Sequence, residues 1–291
     1  MENSSMNERM REMTNPREQL KIDLQRIEQN DYELNTGENL RDYVQLMLEY
    51  IGDPEPELRD NLIYSTFYKW IQEKHWFSDT ELGELLRILL SEQYLFYYIG
   101  NKDDQTVYTR TFSVLVIALI LQRHREQSIL DRSDFTNVKQ ALIRYYEEER
   151  DLRGYMDEEG WAHAAAHGAD ALDELVLCPE SDAAAREEVL TVIQRMLYND
   201  QYIFREEEDE RMATVVTTIA NHQLLSQESI IEWVDSLKEC GNWPRSRDQD
   251  IARINTKNFL RCLYFRLLSQ EEHLDIVEVI LKTEKILNRF S

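Results

Sequence analysis

Hydrophobic positions along this chain recur at helical spacing and are interrupted by short groups of helix-breaking residues. Between the interruptions, Leu, Glu, Arg, Gln and Ala predominate and alternating β-branched runs are rare, which favours helices almost everywhere. The pattern therefore predicts an all-α protein. The interruptions are GDPEP at 52–56, GNKDDQ at 100–105, LCPESD at 177–182 and CGNWPRSRD at 240–248.

The segments between these interruptions predict helices that follow one another in pairs. A helix around 16–30 precedes the pairs and caps the start, and a last helix near 270–288 follows them. We predict a polar N-terminal segment, 1–35, that contains the capping helix, and a single α-helical repeat domain, 36–291. The predicted pairs are 39–51 with 57–74, 79–99 with 106–125, 134–149 with 161–176, 182–198 with 208–224, and 227–239 with 251–268.

The second helices of these pairs begin at a nearly constant interval. Their patterns start at residues 58, 108, 161, 209 and 257, which are 50, 53, 48 and 48 residues apart. Periods of about 40–47 residues are typical of HEAT and armadillo repeats. One amphipathic pair cannot bury its apolar face alone, so neighbouring pairs stack. We therefore predict a HEAT/armadillo-like superhelix, a curved α/α array of about five helix pairs.

Polar and ionisable residues open several of the second helices. Stacking in register would place them along one concave groove. The alternative is that they are ordinary first-turn residues, since acids suit the helix dipole there; this explains Asp60 and Asp209 but not the cation Arg110. The residues predicted to line the groove are Arg59, Asp60, Arg110, Arg153, Tyr155, His163, His167, Asp170 and Asp209.

The stretch GWAHAAAHGAD at 160–170 is the most distinctive in the sequence. His163, His167 and Asp170 stand at i, i+4 and i+7, and therefore share one face of the predicted helix. The small alanines between them allow a neighbouring helix to approach closely, or leave space for a ligand. The HxxxH spacing can bring two imidazoles to one ion, zinc or another divalent metal.

Four interpretations of the histidine pair remain open, and one of them is recognition of a polar ligand in the groove. In a metal site Asp170 would orient His167, because it lies about 10 Å along the helix from His163, and Asp209 or Glu210 would add ligands. In acid–base catalysis Asp170 would tune a histidine pKa, although no serine or cysteine nucleophile motif accompanies it. In a structural role the histidines would hydrogen-bond to Asp170, to residues of the preceding turn or to an arginine of the next repeat.

The amino-acid composition restricts the classes of partner that we expect. The net charge of −23 and the pI near 4.7 disfavour nucleic acid and anionic membranes; the acidity serves solubility, or else a cationic ligand. The three widely spaced cysteines are read as free thiols. No apolar run reaches about 20 residues, and the first residues lack the apolar core of a secretory signal, so we expect a cytoplasmic protein.

A family resemblance rests on several of these segments. The most specific is LRGYMDEEGWAHAAAHGADALDEL; GDPEPELRDNLIYSTFYKWI, VYTRTFSVLVIALIL, EEDERMA and NFLRCLYFRLL accompany it. Together, from roughly Asp53 to Leu268, they resemble a bacterial family of unknown function, domain-of-unknown-function family 2785. The resemblance implies an all-helical bacterial protein and supplies no established activity or catalytic residues.

The function expected from these features is binding. We expect a non-enzymatic repeat module that needs no cofactor and holds a peptide, a protein or a small polar ligand in its groove. The alternative is a metal-assisted hydrolase centred on His163 and His167, and the sequence leaves open whether the protein is an enzyme.

Overall fold

The computed structural model describes residues 15–290, and in this range the regular secondary structure is helical apart from one short hairpin. Of the predicted segment 1–35, residues 1–14 lie outside the described range. The helices are α1 (Pro16–Gln29), α2 (Leu40–Glu49), α3 (57–73), α4 (Asp79–Leu89), α5 (Thr106–Gln127), α6 (Arg132–Glu148), α7 (Ala164–Leu177), α8 (Ala183–Leu197), α9 (Glu208–Asn221), α10 (Gln227–Ser236), α11 (Arg247–Leu267) and α12 (Leu274–Leu287), and the strands are β1 (Tyr155–Met156) and β2 (Gly160–Trp161).

Some helical stretches depart from α geometry. Helix α3 is one continuous rod that begins with the π-helical Glu57–Tyr64 and ends with the π-helical Lys69–Glu73. Short 3₁₀ segments, Leu237–Asn242 and Glu271–His273, follow α10 and precede α12. The prediction of an all-α protein is confirmed.

Polar side chains fix where several helices begin. Ser78 and Glu81 form a capping box at the start of α4, in which each side chain bonds the other residue's backbone N–H. The carboxylates of Asp131 and Asp182 accept backbone N–H groups of α6 and α8 in the same way. These caps satisfy donors that have no partner within the helix, and they place the helix starts close to the predicted positions.

The second helices of the pairs pack against one another in chain order. Helix α3 contacts α5, α5 contacts α7, α7 contacts α9, and α9 contacts α11. One continuous cluster of buried apolar side chains extends from Leu20 in α1 to Leu287 in α12. Within residues 15–290, no helix is both long and apolar enough to cross a bilayer.

Two of the predicted helix boundaries differ from the structure for reasons that local periodicity does not contain. The helix predicted at 79–99 ends at Leu89, and turns follow it. The carbonyls of Tyr97 and Tyr98 accept hydrogen bonds at 2.9 and 3.4 Å from the buried Arg110, a long-range partner that periodicity does not reveal. The helix predicted at 161–176 begins only at Ala164, because His163 adopts a left-handed backbone with φ of 50°.

Candidate functional site

The β1–β2 hairpin connects the starts of several second helices. Its Glu159 carbonyl accepts a 2.6 Å hydrogen bond from Arg59 of α3, and its Glu159 carboxylate accepts a 2.8 Å bond from the Tyr108 hydroxyl of α5. Beyond the hairpin, His163 Nε2 donates to the Glu206 carbonyl before α9 at 2.7 Å. Four second helices, α3, α5, α7 and α9, are thus tied together at this end.

The two histidines form part of an aromatic stack. The ring of His163 stacks on that of Trp161, with the ring centroids 4.6 Å apart. The ring of His167 contacts the ring of His163 edge-on, with the centroids 5.4 Å apart. His167 also meets Phe112 of α5 edge-on at 5.6 Å. Burial lowers the pKa of both histidines, so both imidazoles are neutral at neutral pH. The Nδ1 of His167 is buried and has no hydrogen-bond partner among the described residues.

The partners that the metal hypothesis requires lie elsewhere. Asp170 accepts a 2.9 Å bond from Arg211, and Glu210 binds Arg266 at 2.7 Å. In the described part of the chain, no group of three or more His, Cys, Asp or Glu side chains is placed to hold a metal ion. Zinc or another divalent metal at His163 and His167 stays a prediction, and this geometry gives it no third side-chain ligand.

The two arginines predicted to line the groove at α3 and α5 lie in the interior instead. Arg59 donates to the carbonyls of Asp53 and Glu159 and lies over the Tyr108 ring, 4.1 Å from its centroid. Arg110 forms two hydrogen bonds, of 2.7 and 3.0 Å, with the buried carboxylate of Glu149. Both guanidinium groups find their acceptors inside the fold, so neither faces a groove.

The two predicted groove residues at the start of the hairpin, Arg153 and Tyr155, have different surroundings. Arg153 binds the Asp151 carboxylate at 2.8 and 2.6 Å and the Asp104 carbonyl at 2.6 Å, so it fixes the turn. Tyr155 projects outward on β1 and is directly opposite Trp161 on β2. Of the two, Tyr155 is accessible to a ligand.

A polar row of partly exposed ion pairs crosses the second helices. Each pair joins one second helix to the next, α5 to α7, α7 to α9 and α9 to α11. Since every member keeps some contact with solvent, the row lies on the surface. The pairs are Arg125–Glu174 at 3.0 Å, Asp170–Arg211 at 2.9 Å and Glu210–Arg266 at 2.7 Å.

Two of the three carboxyls of this row, Asp170 and Glu174, lie where ionisation is disfavoured, and so does Asp60 on α3. Desolvation by burial opposes ionisation of the third, Glu210, but its contacts with Arg266 and Cys262 together outweigh that effect and lower its pKa. Burial raises the pKa of Asp60 and of Asp170 to about 6 and that of Glu174 to about 7, even though Arg59, Arg211 and Arg125 respectively oppose the shift. Burial also raises the pKa of Asp173 and Asp209. A carboxyl that is partly exposed and still hard to ionise is surrounded by protein on several sides.

Side chains of α3 and α7 face the same space although α5 lies between these helices. Phe112 of α5 contacts Tyr64 edge-on at 6.4 Å and His167 edge-on at 5.6 Å. Burial raises the pKa of Tyr64 to about 12, and the Asp170 carboxylate adds to this shift. The structure therefore brings Tyr64, His167 and Asp170 together, next to Arg211.

Comparison with known proteins gives one match. A family model for proteins of unknown function, DUF2785, matches residues 95–265, which is more than half of the chain. The chain belongs to the DUF2785 family. No curated protein and no solved structure matches it. The predicted resemblance is confirmed, and the match covers the hairpin, the histidine pair and α9 of this DUF2785 protein.

Sequence reasoning missed one carboxylate beside the histidine pair. Glu208 is buried; its Oε2 accepts the backbone N–H groups of Arg205 and Glu206, and its Oε1 lies 4.0 Å from His163 Nε2 without a hydrogen-bond partner. The run EEEDE at 206–210 carries no signal that separates this glutamate from exposed neighbours such as Glu207. Its burial depends on the packing of α9 against the hairpin.

Proposed function

We propose that this DUF2785 protein is a HEAT-like helical-repeat binding module. In this proposal α3, α5, α7, α9 and α11 form the concave side of a superhelix, which holds a peptide, a protein or a small polar ligand. The chain-order contacts between these helices and their spacing of about 50 residues support the repeat interpretation.

The observation that carries the proposal is the polar row, in which two carboxyls, Asp170 and Glu174, are kept in an environment that disfavours their charge. A carboxyl whose pKa is raised in the folded protein reduces stability at neutral pH, and groups with strongly perturbed pKa values concentrate where a ligand is bound. Asp170 and Glu174 fit this description, since burial raises the pKa of both despite an arginine partner. A ligand that forms hydrogen bonds with these side chains would compensate the cost.

The proposal is tested with a synthetic library of ten-residue peptides of defined and varied charge. The protein is compared with a groove variant, Asp170→Asn/Arg211→Gln, which removes one ion pair of the polar row. The matched control is Glu278→Gln/Lys282→Gln, which removes an exposed ion pair on α12 and the same two charges. For the peptides that bind the unaltered protein, we expect the groove variant to have at least tenfold lower affinity and the control variant to have unchanged affinity.

Two results would contradict the proposal. One is that no peptide of the library binds the unaltered protein. The other is that the groove variant and the control variant change affinity equally, because the row would then be a structural ion-pair network.

A further inference from the structure

Two exposed aromatic rings and two carboxylates surround one surface pocket at the hairpin. We call the set of Tyr155, Asp157, Trp161 and Glu206 the hairpin platform. It lines an open pocket of ≈ 620 Å³ together with Met156 and Arg205. The rings of Tyr155 and Trp161 are 4.9 Å apart at an interplanar angle of 71°, so they form two walls of a corner.

The rings of the hairpin platform are accessible but rigidly supported. Tyr155 is 50% exposed and Trp161 is 38% exposed, whereas most aromatic residues of this chain are at least partly buried in the core. Trp161 is stacked on His163, and the Nε2–H of His163 donates a hydrogen bond to the Glu206 carbonyl. A preorganised pair of rings binds a ligand without the cost of ordering flexible side chains.

Negative charge at the hairpin platform exceeds positive charge. Two carboxylates, Asp157 and Glu206, line the pocket with one cation, Arg205, whose guanidinium lies 5.7 Å from the centroid of the Tyr202 ring and 3.6 Å from Glu206 Oε1. Behind His163, the buried Glu208 retains a carboxylate oxygen without a hydrogen-bond partner. Aromatic faces next to carboxylates recognise cations, because the ring quadrupole and the carboxylate charge attract the same group.

We propose that the hairpin platform binds the guanidinium group of an arginine side chain in a basic peptide. A planar guanidinium can stack on an aromatic ring and form two hydrogen bonds with a carboxylate such as Glu206. This inference rests on the proposed function and specifies that the ligand of the binding module is positively charged. The net charge of −23 also favours a cationic ligand.

The experiment measures binding of fluorescein-labelled hexa-arginine amide by fluorescence anisotropy at fixed ionic strength, with labelled hexaglutamate amide as the second probe. We expect hexa-arginine to bind and hexaglutamate not to bind. Trp161→Ala should weaken binding on the order of tenfold and Trp161→Phe by much less, since phenylalanine retains a ring face. The matched control is Trp243→Ala on the α10–α11 connection, because Trp243 is 39% exposed and also packs edge-on against a tyrosine.

A gain-of-binding variant separates recognition from a structural role of Trp161. Arg205 is exposed and lies 3.6 Å from Glu206 Oε1, where it competes with an incoming cation. Arg205→Gln should therefore tighten hexa-arginine binding about threefold, an effect that loss of folding cannot produce.

The inference is overturned if Trp161→Ala and Trp243→Ala bind hexa-arginine alike, if Arg205→Gln fails to tighten binding, or if hexaglutamate binds better. Its failure differs from failure of the proposed function. If Asp170→Asn/Arg211→Gln abolishes peptide binding while Trp161→Ala does not, the groove stands and the hairpin platform does not.

Discussion

Asp170 and Arg211 are 41 residues apart in the sequence and form a 2.9 Å ion pair between α7 and α9. Burial raises the pKa of Tyr64 on α3, and the Asp170 carboxylate adds to this shift. One ion pair thus connects three second helices electrostatically. Because its members belong to different helices, changes to this pair report on the packing of α7 against α9 as well as on binding.

Replacing Glu174 with glutamine should remove part of the pH dependence of stability. Burial raises the pKa of Glu174 to about 7, so the folded state binds more protons than the unfolded state between about pH 4.5 and 7. Its ionisation therefore lowers the free energy of unfolding as pH rises through that window. We expect the free energy of unfolding of Glu174→Gln, relative to that of the unaltered protein, to rise on the order of 1 kcal/mol from pH 5 to pH 8. Urea unfolding at the two pH values measures this difference.

The control for that measurement is Glu239→Gln, at an exposed position. The stability difference between Glu174→Gln and the unaltered protein should change more across this pH range than the difference for Glu239→Gln. Equal changes for the two variants would contradict the prediction.

His167→Gln should have the opposite pH signature. Burial lowers the pKa of His167 well below 6.5, so the unfolded state binds the additional proton as the pH falls below 6.5. The unaltered protein therefore loses stability from this group on acidification, and the variant does not. We expect the melting temperature of His167→Gln, relative to the unaltered protein, to be higher at pH 5.5 than at pH 7.5. An unchanged difference, or the same behaviour in the exposed-site variant His222→Gln, would refute this assignment.

Two glycine-to-alanine changes within helices should act in opposite directions. A Cβ at Gly168 in α7 would lie 2.4 Å from Tyr146 Cε2 and 3.0 Å from Tyr145 Cε1, which are buried rings of α6. A Cβ at Gly83 in α4 would meet only the flexible end of Arg87, at 3.4 Å. We expect Gly168→Ala to cost about 1–3 kcal/mol from overpacking, and Gly83→Ala to gain up to about 1 kcal/mol from helix propensity.

Urea unfolding of the two glycine variants at pH 7 provides the comparison. Equal stabilisation of both would mean that α6 and α7 can separate without cost, and that Gly168 is not required for close packing.

The buried pair of Arg110 and Glu149 should be sensitive to loss of one partner. Arg110→Met leaves the Glu149 carboxylate buried without its counter-charge, at a cost of about 3–5 kcal/mol. Adding Glu149→Gln removes that charge and keeps an acceptor for the backbone N–H groups of Arg150 and Asp151. The double variant should unfold at a higher urea concentration than Arg110→Met alone, and an equal or lower midpoint would contradict this explanation.

Local sequence information was sufficient for most helices. The run VYTRTFSVLVIALIL predicts a buried helix at 106–125, and α5 is Thr106–Gln127. It was insufficient at 90–99, where the aromatic run fits a helix but the backbone carbonyls bind Arg110 instead. Competition from a distant side chain has no periodic signature.

In the predicted site, too, the local features were correct and the long-range partners were not. The spacing of His163 and His167 correctly places their rings close together, because four residues make about one helical turn. It assigns the wrong partners, since Asp170 binds Arg211 and His163 binds the Glu206 carbonyl. Those partners come from α9 and the segment before it, and their identity depends on how far α9 is displaced along α7.

By itself the sequence determined the helical class, the approximate positions of most helices, the membership in a family and the closeness of the two imidazoles. Each of these depends on neighbours within a few turns or on recurring residue types. Only the tertiary structure decided which charges are buried and which form the polar row. It placed Arg59 and Arg110 in the interior and left Tyr155 and Trp161 exposed. The physical reason is that burial and ion pairing depend on contacts between segments some 40–100 residues apart, which packing selects and local periodicity does not encode.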